Sequence, residues 1–193
     1  MDCGQPDLET LLGEAEAFHG HLCGGIVIGV RMALAGLREI GIQDPKGEDR
    51  KHLMVFVEID RCATDAITSV TGCRPGKRTM KLKDHGKMAA TFVNLATGRA
   101  VRVAARTRPR LADPQAEMQV LKVLPEAELF LVQEGQVPLV PGDLPGTPVR
   151  SVCCDRCGET VLDMRDVTVG GRILCRACAE GKGYFIPSTG ALS

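Results

Sequence analysis

Four cysteines near the C-terminus carry the spacing of a metal site: Cys154-x2-Cys157-x17-Cys175-x2-Cys178. Each CxxC turn presents two sulfurs from one tight bend, and the intervening loop brings the two pairs together. Four thiolates suit Zn²⁺, which takes tetrahedral sulfur and has no d-electron preference of its own. A closed four-sulfur site leaves no position for substrate, so one structural zinc per chain is expected at Cys154, Cys157, Cys175 and Cys178. In a tail too small for much core, that ion supplies the folding free energy, on the order of 10 kcal/mol or more. Cys153 is an alternative to Cys154 as ligand; the match to the second CxxC pair favours Cys154. Gly158 follows the first pair as a knuckle turn needs, and Gly170-Gly171 would turn the hairpin back to the second pair.

A second constellation lies near the N-terminus, in Phe18-His19-Gly20-His21-Leu22-Cys23-Gly24-Gly25. Cys23 precedes an apolar helix, where the partial positive charge of the helix start stabilises a thiolate. Cys62 occupies the same kind of place after Glu58-Ile59-Asp60-Arg61. Should the two helix starts meet, His21, Cys23 and Cys62 make a soft N/S site for a second transition metal, or a reactive thiol with a histidine base. His19 shares the apolar stripe of the first helix, so half-buried packing competes with a chemical role. Cys73 precedes the turn Arg74-Pro75-Gly76-Lys77, Asp84 and His85 flank the next turn, and Cys3 sits at the terminus.

The elements that must position these groups read as follows. Leu8, Leu11, Leu12, Ala15 and His19 keep helical spacing; a second helix spans 26–40 and ends at Gly41. Residues 53–59 read as a buried strand and 62–70 as a short helix ending near Gly72. Strands at 87–95 and 99–105 flank the turn Ala96-Thr97-Gly98. A short strand at 79–83, a helix at 114–124 and a last strand at 129–133 complete an α+β core with a mixed or antiparallel sheet. Four prolines and three glycines in 135–148 mark a linker. The chain therefore divides into a core (1–134), a Pro/Gly-rich linker (135–149) and a four-cysteine module (150–193).

Composition narrows the function classes. The 193 residues carry 24 basic and 24 acidic side chains, 44% are hydrophobic, and aromatics make up only 3% with no Trp. The core must be aliphatic, and base stacking on aromatic platforms is disfavoured. Charge is segregated: residues 74–110 hold eleven basic side chains and one acidic, while 1–73 hold six and twelve. This basic band is either neutralised by neighbouring elements or a site for an anionic ligand. The tail, with six basic and five acidic residues, lacks the cation excess that nucleic acid asks for. The start Met1-Asp2-Cys3-Gly4 is not a secretory leader, and the stretch 22–37 is too short to cross a bilayer, so a cytoplasmic protein is expected. There is no ferredoxin cysteine run in the core, no GxGxxG after a strand and no P-loop.

FHGHLCGGIVIGVRMA (18–33) and EIDRCATDAITSVTGCRPGKRTMKLKDHGKMAATFVN (58–94) resemble the FmdE family, the formylmethanofuran dehydrogenase component of that name and its relatives. The resemblance implies a compact α+β core, commonly a homodimer, followed by a treble-clef-like zinc finger. The parent enzyme is a molybdenum or tungsten oxidoreductase of methanogenesis that interconverts CO2 plus methanofuran with formylmethanofuran, and its metal-pterin and iron–sulfur chemistry resides in other polypeptides of the complex. The motif residues carry over to His19, His21, Cys23 and Cys62 as a metal or active site. A component associated with such a complex is the first expectation. An adaptor or regulator, binding protein or nucleic acid through the finger and the basic band, is the alternative.

Overall fold

Asp7 starts the first helix as its side chain dictates. The carboxylate accepts the Thr10 amide at 2.8 Å, and α1 (Leu8–His19) follows with Leu11, Leu12 and Ala15 on its buried stripe. Gly20, at φ +100°, ends it in a left-handed turn. The second helix, α2 (Gly24–Ile40), begins two residues earlier than its apolar pattern predicts, because Gly24 and Gly25 enter its first turn; Gly41 caps it. The computed structural model describes residues 6–181 and 183–185, so Cys3 lies outside the described residues.

The sheet is built on β1 (Leu53–Val57), buried along its whole length. After it come α3 (Cys62–Thr71), β2 (Met80–Leu82), β3 (Ala89–Asn94) and β4 (Ala100–Ala105). Helices α4 (Pro114–Val123) and α5 (Glu126–Leu129) lead into β5 (Phe130–Gly135). The five strands lie in the order β2-β1-β3-β4-β5. Only β1 and β2 are parallel, with Val55 opposite Met80; α3 makes the crossover that a parallel pair requires. The remaining pairs are antiparallel, and β3–β4 is the hairpin expected around Gly98. This is a mixed α/β core. Leu53, Val55, Val57, Phe92, Val101 and Val103 face the helices and pack with Ile26, Val30, Ala33 and Leu37. Among the described residues the buried side chains are mostly aliphatic, with three phenylalanines, Phe56, Phe92 and Phe130, as the low aromatic content requires.

The packing of α2 depends on its glycines. Its glycines face the molecule's own interior: a Cβ on Gly29 would stand 2.7 Å from Ala63 and Ala66 of α3, and one on Gly36 would stand 2.1 Å from the Phe92 ring. The absence of side chains there lets α3 and the sheet approach α2 at backbone distance.

The chain falls into two compact units, Met1–Val137 and Pro138–Ser193. In the second, part of the predicted linker is structured: Pro141–Asp143 forms a 3-10 turn, and Gly142 packs against the Asp163 carbonyl. Two hairpins follow, β6 (Ser151–Cys153) with β7 (Thr160–Leu162), and β8 (Asp166–Val169) with β9 (Arg172–Cys175). The second turns at Gly170-Gly171, both at positive φ. A five-residue helix, α6 (Arg176–Glu180), closes the unit. Among the described residues, no helix is long and apolar enough to cross a membrane.

Candidate metal centres

In the second unit, Cys154, Cys157, Cys175 and Cys178 place their sulfurs within 4.8 Å of one another, with Cys157 and Cys175 at 4.0 Å. Tetrahedral Zn–S bonds of about 2.3 Å put sulfurs about 3.8 Å apart, so the four fit one zinc ion. Each donor has a local cause. Gly158, at φ +74°, folds the knuckle and returns its amide to the Cys154 carbonyl at 2.9 Å. Cys175 caps α6 and its sulfur accepts the Cys178 amide at 3.4 Å. Cys154 is buried, its sulfur accepting the Cys175 amide at 3.2 Å. Cys153 is exposed and donates to the Gly158 carbonyl instead, since successive strand residues point to opposite sides. The backbone amides of Cys157 and Cys175 hold the Cys154 thiol down at about 6. The hydrogen bond with the Cys175 sulfur, then burial, pushes Cys178 up to about 12. Thiols crowded this closely cannot all ionise without a cation among them.

In the first unit the starts of α2 and α3 meet. Cys23 is the N-cap of α2 and Cys62 the first residue of α3; neither helix start has a side-chain cap. Gly25 makes the meeting possible, since a Cβ there would stand 3.0 Å from the Cys62 Cβ and 3.6 Å from the Cys23 sulfur. His19, at the end of α1, completes the group: His19, Cys23 and Cys62 hold ligand atoms within 4.8 Å of one another. Asp65, one helical turn beyond Cys62, fixes the imidazole through Oδ2 at 2.8 Å from His19 Nδ1. His19 Nε2 is then buried with no hydrogen-bond partner. Burial, then the hydrogen bond with Cys23, pushes the Cys62 thiol above its ordinary value of 9.0.

The sequence puts His21 beside the two thiols; the structure puts His19 there. Gly20 turns the chain outward, leaving His21 exposed, its ring 4.8 Å from that of His19. Sequence reasoning misses Asp65, although its place three residues after Cys62 sets both on one helix face. Cys73 stays apart, buried with its sulfur 3.9 Å from the Leu53 carbonyl. Asp84, at the turn before β3, accepts the Gly86 amide and closes that turn.

The triad suits a soft metal. One imidazole nitrogen and two thiolates, with a carboxylate orienting the ring, leave a fourth position open for substrate or solvent. The orphaned Nε2 is the observation that fits an ion best, because an uncharged buried nitrogen without a partner is costly.

Comparison with known proteins gives these arrangements a lineage. Residues 18–129 match the family described as FmdE, molybdenum formylmethanofuran dehydrogenase operon, and residues 148–182 match the prokaryotic dksA/traR C4-type zinc finger. A protein of Archaeoglobus fulgidus described as a probable S-adenosyl-L-methionine-binding protein is 35% identical over 103 residues, covering 51% of this chain and 27% of its own length. The chain thus spans about a quarter of that curated relative. A crystal structure of a tungsten formylmethanofuran dehydrogenase FmdE-like protein from Syntrophus aciditrophicus shares the fold. Its TM-score is 0.56 at 22% identity, with 94% of this chain and 96% of that one covered. With more than half of its residues inside the family match and four sulfurs gathered in its second unit, the chain belongs to the FmdE family and carries a C-terminal C4 zinc finger.

Proposed function

We propose that the core is a metal-dependent unit of one-carbon redox metabolism, binding a transition metal through His19, Cys23 and Cys62 in association with a molybdenum or tungsten oxidoreductase. The observation that carries this reading is the His19 imidazole: Asp65 orients it through Nδ1, its Nε2 is buried without a partner, and a ring nitrogen lies within 4.8 Å of two thiols. A metal held there supplies Lewis acidity at its open position. The chain's own residues orient the imidazole through Asp65 and bring the thiols together through the close approach of α2 and α3. The protein acts as a homodimer, as the family resemblance implies, and in the cytoplasm. The finger is structural in this reading. Two of its five arginines are neutralised internally, Arg150 by Asp166 and Arg165 by Asp143, while Arg172 and Arg156 donate to the Asp155 and Cys178 carbonyls and Arg176 is exposed. That supports a finger that does not grip nucleic acid.

The test is elemental analysis of the purified full chain. Two metal ions per chain are expected, falling to one in Cys62→Ser, with the remaining ion placed at the finger by anomalous scattering. One ion in the native chain, unchanged by Cys62→Ser, rejects the proposal.

A further inference from the structure

Part of the basic band lines a cleft that adjoins the one holding Cys23. A cleft of about 530 Å³ is lined by Cys23, Gly24 and Gly25 together with Ile28, Met88 and Arg110. A second, of about 440 Å³, adjoins it through Ile28, Met88, Arg110 and Glu117, and adds Lys87, Arg102, Arg106 and Arg108. Some of these cations are already neutralised. Arg102 makes a two-pronged ion pair with Glu58, at 2.6 and 2.9 Å, which holds the Glu58 carboxyl below its ordinary range. Arg108 pairs with Glu117. Arg106 spends Nε on the carbonyls of Ala127 and Phe130, which cancel no charge. Lys87, Arg106 and Arg110 are exposed and have no carboxylate partner among the described residues. Glu117 is the one acid on either wall. The segregated charge of residues 74–110 is therefore only partly absorbed by neighbours, and much of the remainder gathers in this cleft.

We propose that the cleft takes a short organic anion bearing a thiol, with its anionic head against Lys87, Arg106 and Arg110 and its sulfur beside Cys23. Two adjoining clefts, one apolar with Cys23 in its lining and the other rich in cations, complement a molecule with a thiol on one part and an anionic head on another. The sulfur end of this assignment rests on the metal reading above, since a soft site with an open position accepts a thiolate. The anionic end rests on the cations alone.

Calorimetric titration of the zinc-loaded full chain at low salt tests it, with mercaptopropionate and the neutral mercaptopropanol as probes. The acid is expected to bind about tenfold tighter than the alcohol, in keeping with a few partly screened charge contacts. Lys87→Gln combined with Arg110→Gln is expected to bring the two probes within about twofold while leaving metal content unchanged, because both side chains are exposed. Equal binding of the two probes by the native chain, or a preference that survives the double variant, overturns the inference. A chain lacking the core metal that still prefers the acid, and loses that preference in the double variant, supports the anionic end and rejects the metal reading. A chain holding the core metal without the preference rejects this inference alone.

Discussion

At the scale of single residues, the core site depends on how one imidazole is held. Asp65 is about half exposed, at 48%, whereas His19 keeps only 16% of its side-chain surface, so the carboxylate faces solvent on one side and steers a nearly enclosed ring on the other. Removing such an orienting carboxylate typically weakens metal affinity by roughly 10- to 100-fold. Asp65→Asn is expected to weaken the core ion by that factor in chelator competition and to leave the finger's ion unaffected. An unchanged core affinity would mean that the ring is fixed by packing alone. His19→Ala is not an equivalent test, because it also removes packing between α1 and α3. His21 shows where residue-level reading stops. Two histidines one residue apart are chemically alike in sequence, and only the left-handed turn at Gly20 decides which one points inward.

At the scale of elements, the contact of α2 with α3 sets the geometry. Gly29 sits against Ala63 and Ala66 with no room for a methyl group. Gly29→Ala is expected to cost about 1–3 kcal/mol of stability, as overpacking does, and to release the core metal by moving Cys23 from Cys62. Thermal unfolding with parallel metal analysis checks both; a variant that keeps its core ion would show that the helix starts are held together by something else. Much of this level is legible in the sequence. The apolar stripe of α1, the glycine stops after α2 and α3, and the β3–β4 hairpin all express local rules that act within a few residues. The parallel pairing of β2 with β1 is not legible, since Met80–Leu82 is too short for its pattern to name a neighbour. The turn of helix at α5 escapes for a similar reason, because four residues hold too little periodicity to separate from the strand that follows. The finger is the most legible part, because metal spacing is written directly in the chain. The CxxC match already favours Cys154 over Cys153 in the sequence, and the strand supplies the physical reason by fixing which side each residue faces.

At the scale of the whole molecule, the two units draw stability from different sources. The first buries an extended aliphatic core, whereas the second buries only a cluster of Cys154, Leu174 and Cys178, where an ion held by the four cysteines would supply folding free energy. A strong chelator is therefore expected to collapse the amide resonances of residues 151–181 while those of β1, β3 and β4 keep their native shifts. Loss of both sets together would show that the core also needs a metal to fold.

The glycines of α2 have one more consequence. Gly24, Gly25, Gly29 and Gly36 make this a poor helix on its own, with each interior glycine costing about 1 kcal/mol relative to alanine. It persists because of what it lies against. When a fluctuation peels α3 away, α2 keeps its packing on the sheet, but Cys62 leaves His19 and Cys23 and Asp65 leaves the imidazole. The trio is therefore complete only while α3 stays docked on α2.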